Sequence, residues 1–153
     1  MNWPAFLAAL RVAVVAAGLA GHVAVAAFVL GLQAPPATGD GVPSGFAFAF
    51  ALLGTAVAGT VSVVGYGLPA GEGRLRVGPL ADRSSTHRLV AGGAAASLFG
   101  VALAFGLAFL TSGMGSVAVW VAGVGFLVGG LVALALGGLV VGVRLVADGV
   151  TSA

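Results

Sequence analysis

Four long apolar runs constrain this chain more than anything else in it. They cover residues 5–32, 45–68, 87–111 and 116–146, and only short breaks divide them. Each is too long to be a strand. At about 1.5 Å per helical residue, each also reaches across a hydrocarbon core of roughly 30 Å. Lipid offers the backbone no hydrogen-bond partner, so a spanning segment must satisfy its own amides, as a helix does. The expectation is an all-α integral membrane protein. Four transmembrane helices form a small antiparallel bundle, a single membrane domain over residues 1–153. Composition agrees: 7% of the residues are charged, where a soluble domain carries about 25%. The first run is expected to be retained. The apolar stretch after Arg11 is long for a signal peptide, and the natural cleavage point near Ala34 is followed by Pro35 and Pro36.

The breaks set the direction of threading. Residues 33–44 hold Pro35, Pro36, Pro43 and the turn sequence Thr38-Gly39-Asp40-Gly41, with Asp40 the sole charge. Residues 69–86 hold Glu72, Arg74, Arg76, Asp82 and Arg83, and Arg88 follows just beyond. Arg11 and Arg144 lie toward ends that an even number of spans places on that same side. Arginine is retained on the cytoplasmic side of membranes, so both termini and the arginine loop are expected in the cytoplasm. Trp3 and Tyr66 near that boundary and Trp120 near the other fit interfacial aromatic belts. The expected location is the cell membrane, as a multi-pass protein. Arg74, Arg76, Arg83 and Arg88 are expected to set topology and to touch anionic lipid headgroups, at ~1 kcal/mol per cation near the surface.

Burying leucine gives helices in lipid no reason to associate, whereas close backbone approach at small residues does. The fourth run repeats glycine every seven residues, at Gly123, Gly130 and Gly137, with Leu127 and Leu134 between and Arg144 at its foot. The third carries Gly92, Ala96, Gly100, Ala104 and Ala108 at a spacing of four, a row that drifts around an α-helix. The shortness of the turn at 112–115 makes the third helix the nearest partner for the glycine seam. The second run sets Thr55, Gly59, Ser62 and Tyr66 within a narrow arc. Placing Arg11 over Arg88 aligns the first and third runs in the same direction, with Ala27-Phe28-Val29-Leu30 over Ala104-Phe105-Gly106-Leu107. Residues this common in membrane helices align too cheaply to establish a duplication.

Chemistry-bearing residues are few. His22 is the one ionisable group deep inside a run, which makes it a functional suspect. It can relay protons, hold a haem or metal, or simply hydrogen-bond a neighbouring backbone. Thr55 and Ser62 are the other polar candidates for a path. His87 sits at the opposite depth from His22, so the two cannot share a haem within one chain. Proton-coupled transport would call for a carboxylate within a span, and Asp40, Glu72, Asp82 and Asp148 all lie outside the runs. Arg11 is expected to snorkel to the headgroups. There are no cysteines, hence no thiolate sites. Gly71-Glu72-Gly73 matches no phosphate-loop fingerprint. No catalytic, cofactor or metal residues are assigned, and no basic run interleaved with aromatics suggests nucleic acid.

The leading expectation is a non-enzymatic bundle or accessory subunit whose partners are the bilayer and either its own copies or a larger membrane complex. A small oligomeric transporter or channel subunit is the first alternative. It requires His22, Thr55 and Ser62 to line a shared polar cavity. A haem- or cofactor-binding redox protein is the second.

Overall fold

The structure is a computed structural model and describes residues 3–32, 44–68, 80, 82–111 and 113–151. Helix α1 runs Trp3–Gly31, α2 Ser44–Gly67, α3 Ser85–Val101 and α5 Gly113–Thr151. Between the last two, a π-helical stretch, Ala102–Leu107, and a final turn, α4 (Ala108–Leu110), continue α3 as one third span. Four long apolar helices therefore pack as a bundle, each long enough to cross a membrane.

The ends follow local chemistry. Pro4 is tolerated because it falls in the first turn of α1, where its missing N–H would have no helical partner. The third span begins at Ser85, earlier than residue 87, because the Ser84 side chain accepts a 3.2 Å hydrogen bond from the His87 amide and caps the helix. It ends at Thr111, whose backbone is extended (φ −111°, ψ 163°). There Thr111 Oγ1 and Ser116 Oγ both donate to the Ala108 carbonyl, at 3.1 and 2.8 Å, satisfying an acceptor that the helix end would otherwise orphan. Helix α5 continues past residue 146 to Thr151, since no proline interrupts it.

Helix α5 is the centre of the packing, and it has two glycine faces. On one, a Cβ added at Gly123 would lie 2.6 Å from the Ala104 amide nitrogen. At Gly130 it would lie 2.6 Å from the Gly93 carbonyl and the Ser97 amide, and at Gly137 2.7 Å from Val90. This face meets the third span. On the other, a Cβ at Gly125 would lie 2.6 Å from the Thr55 carbonyl, and one at Gly129 2.7 Å from the Thr60 amide. A Cβ on Gly59 would overlap the Gly125 carbonyl. Helices α2 and α5 thus touch backbone to backbone across the middle of the bundle. Helix α1 packs on α2 and α5, while α1 and α3 have no Cα atoms within 8 Å of each other. The cross-section is a rhombus, with α2 and α5 on the short diagonal and a gap between α1 and α3.

The four-spaced row on the third span divides between two neighbours. Gly100 lies against Gly123 and Leu127 of α5, whereas Gly92 faces the Tyr66 ring and Ala96 faces the gap. Gly93, one residue from the predicted row, is the position pressed onto Gly130. The π stretch then takes more residues per turn. Spacing by four now returns to one face, so Gly100, Ala104 and Ala108 are all buried.

At the end opposite the arginines, Val29, Ala51, Ala118 and Val121 form a small buried cluster. The outer faces are apolar and open, including Leu98, Phe109 and Leu110 at 72–83% exposure. Such a surface is suited to lipid.

Candidate functional site

Two groups of polar side chains stand out among the described residues of the spans. The first is at mid-bundle around His22. Its Nδ1 lies 3.0 Å from the Gly18 carbonyl. A carbonyl only accepts, so Nδ1 carries the proton and a neutral ring leaves Nε2 as an acceptor. That Nε2 is buried without a hydrogen-bond partner, and so is the Oγ1 of fully buried Thr55. Both crowd one point: a Cβ on Gly125 would strike Thr55 Oγ1 and lie 2.9 Å from His22 Nε2. Only glycine at 125 lets the three helices meet here. Ser62 does not join them. Its hydroxyl donates to the Ala58 carbonyl at 2.9 Å, and Thr60 likewise bonds Ala56 at 2.8 Å, so both are satisfied within their own helix. The imidazole stacks on Phe126, which meets Phe99 edge-on with centroids 5.2 Å apart. An aromatic bridge from α1 through α5 to α3 therefore crosses the bundle at His22.

The second place is the arginine end. Helix α2 finishes at Gly67, and the last carbonyls of any helix lack internal partners and carry partial negative charge. Two arginines supply the donors. Arg11 Nε reaches the Tyr66 carbonyl at 3.3 Å, and Arg88 Nη2 reaches the Leu68 carbonyl at 3.0 Å. Arg88 also donates to the Arg83 carbonyl and, at 3.1 Å, to Ser85 Oγ. Each arginine is 3% exposed. Arg11 and Arg88, expected at the headgroups, both turn donors onto the end of α2. The Arg11 guanidinium also lies 4.7 Å from the centre of the Tyr66 ring. Tyr66 Oη in turn accepts the Leu80 amide at 3.2 Å. Arg83 is exposed, while Arg74 and Arg76 lie outside the described residues.

Between these two places runs a groove of about 410 Å³ in the gap between α1 and α3. Val15 and Leu19 form one wall, Ala91, Ala95 and Ala96 the other, and Val63 of α2 lines its base. Tyr66 and Leu80 close the arginine end, and Phe99 with Phe126 closes the middle. His22 and Thr55 do not line it. A second hollow, of about 310 Å³, lies at the other end among Phe48, Phe105, Phe109 and Trp120. Among the described residues no three His, Asp or Glu side chains cluster as metal ligands would.

Sequence reasoning picked out His22 and Thr55 as isolated polar groups. It missed Gly125 and Phe126, which bring them together, and the Gly129-Gly130 pair that gives α5 its two faces was the available signal.

The fold and these sites define a four-span integral membrane protein with a lipid-facing surface. No protein-family model matches the chain, and comparison with curated proteins and with solved structures produced no match.

Proposed function

We propose that this chain is a non-enzymatic bundle of the cell membrane, an accessory subunit that associates with its own copies or with a larger membrane complex. Both termini face the cytoplasm, and Arg74, Arg76 and Arg83 meet anionic headgroups there. The observation that supports this best is the His22–Phe126–Phe99 bridge. It fills the bundle where a solute path would have to run, and it separates His22 from the groove. The hydroxyls of Thr60 and Ser62 are spent on their own helices. What is left over is apolar surface. Helix α5 supports a lateral role, because Gly138 and Gly142 have nothing within 4 Å and Leu139, Val143, Leu145 and Val146 are more than half exposed.

Native mass spectrometry after gentle-detergent purification tests the reading. The expected species holds more than one chain, either copies or foreign subunits, and no cofactor mass. A bare single chain under every mild detergent tried would overturn it.

The unpartnered Nε2 of His22 beside Thr55 Oγ1 favours a second reading, in which an oligomer carries a small solute or proton past these groups. Proteoliposomes that show a flux abolished by His22→Phe would replace the first reading with this one.

A further inference from the structure

We propose that the groove between α1 and the third span holds one acyl chain of an anionic phospholipid, drawn from the leaflet at the arginine end, with its phosphate beside Arg83. Three observations carry this. The first is length. From Ala91 to Phe99 the groove follows α3 for about 12 Å at ~1.5 Å per residue. One leaflet contributes about half of a ~30 Å core, which is close to this. A partner's transmembrane helix, or one from a second copy, would need a seat across the whole core, and the groove lining reaches only as far as Phe99 and Phe126.

The second is lining. Val15, Leu19, Val63 and the alanines offer no polar atom, and the Ser62 hydroxyl is already engaged by Ala58. An occupant must therefore be apolar along its length, since a buried polar group there would go unpaired. The third is charge at one end only. Leu80 closes that end, and the amide of exposed Arg83 donates to the Leu80 carbonyl at 3.0 Å, which puts this residue one turn from the mouth. Behind Tyr66, the other end residue, lies the Arg11 guanidinium. An acyl chain entering here leaves its headgroup beside Arg83 and its acidic neighbour Asp82, with Arg11 behind Tyr66.

The proposal stands apart from the association reading. A strictly monomeric protein would overturn that reading and leave the groove unaffected. The test is photocrosslinking in nanodiscs with phosphatidylglycerol bearing a diazirine in its acyl chain, followed by peptide mass mapping of the intact full-length protein. Adducts are expected to concentrate several-fold on Val15, Leu19, Ala95 and Ala96 over outward residues such as Leu98 and Leu139. Adducts spread evenly over both sets would overturn the proposal. Ala96→Phe should fill the groove and remove its adducts while leaving those on Leu98. Should that variant fail to fold, Leu19→Phe fills it from the other wall. Arg83→Gln should lower groove labelling by phosphatidylglycerol about fivefold and leave phosphatidylcholine labelling unchanged. Equal labelling by both lipids in the native protein would overturn the anionic assignment. A dimer that Ala96→Phe converts to monomer would show a second copy in the groove and overturn the proposal altogether.

Discussion

The His22 ring lies over the Phe126 ring with centroids 4.3 Å apart and planes 15° from parallel. The only ionisable residue deep in the spans is therefore held by a face-to-face aromatic contact as much as by its bond to Gly18. In a bundle held by backbone proximity, this contact ties α1 to α5 where the two otherwise meet sparingly. We expect the ring at this position to matter more than a proton there.

That ordering can be measured. His22→Phe keeps the stack and should melt in detergent within about 1 kcal/mol of the native protein, the scale of one aromatic pair. His22→Ala loses the stack, opens a cavity beside Phe126 and should cost about 2–4 kcal/mol. If the two variants melt alike, the imidazole nitrogens rather than the ring hold the site.

The glycine seam makes a sharper demand. Gly130→Leu drives a side chain into the Gly93 carbonyl and the Ser97 amide, which are backbone and cannot step aside. Overpacking of this kind costs about 1–3 kcal/mol even where neighbours can relax. The expected result is loss of the folded chain, not release of a folded monomer from an oligomer. Gly138→Leu meets nothing within 4 Å and should leave the chain folded. Size-exclusion chromatography with circular dichroism separates the outcomes. A discrete, helical Gly130→Leu monomer would assign the seam to another chain.

Arg88 should resist conservative replacement. Lysine carries the charge but cannot present a planar fork to Leu68, Arg83 and Ser85 together. Arg88→Lys is expected to lose about 2–3 kcal/mol, the scale of one or two hydrogen bonds to a charged group, and to expose residues 80–84 to protease. Arg83→Gln, at an exposed position, should change neither. Equal protection of native and Arg88→Lys protein would show that the capping bonds contribute little.

Orientation is open to direct labelling because the chain has no cysteine of its own. With the arginine loop in the cytoplasm, Thr38→Cys should react with a membrane-impermeant maleimide on intact cells, and Arg83→Cys should react only after lysis. The reverse pattern would invert the topology.

How far these features can be read in the sequence varies with their physical origin. The spans are plain because length and hydropathy alone decide what lipid accepts, and each is displaced only at its ends. Ser84 moves the start of the third because a single side-chain bond outweighs hydropathy there. The seam's contacts are harder. A spacing of four picks Gly92 and a spacing of seven from Gly100 picks Gly93, and only the placement of α2 and α5 decides which one meets α5. The inward turn of Arg11 and Arg88 depends on the Tyr66 and Leu68 carbonyls, distant in sequence and given away by no pattern. Phe126 reads as one more lipid-facing phenylalanine until His22 is found beside it.

The π stretch at Ala102–Leu107 has one further consequence. It uncouples the angular phase of the two halves of the third span. The half before it meets both α2 and α5 while walling the groove, and the half after it answers to α5 alone. A continuous α-helix would transmit any rotation of the groove wall to Ala108 and the turn bonded to it. With the break in phase, the wall can vary in sequence and shape while the hairpin to α5 stays closed.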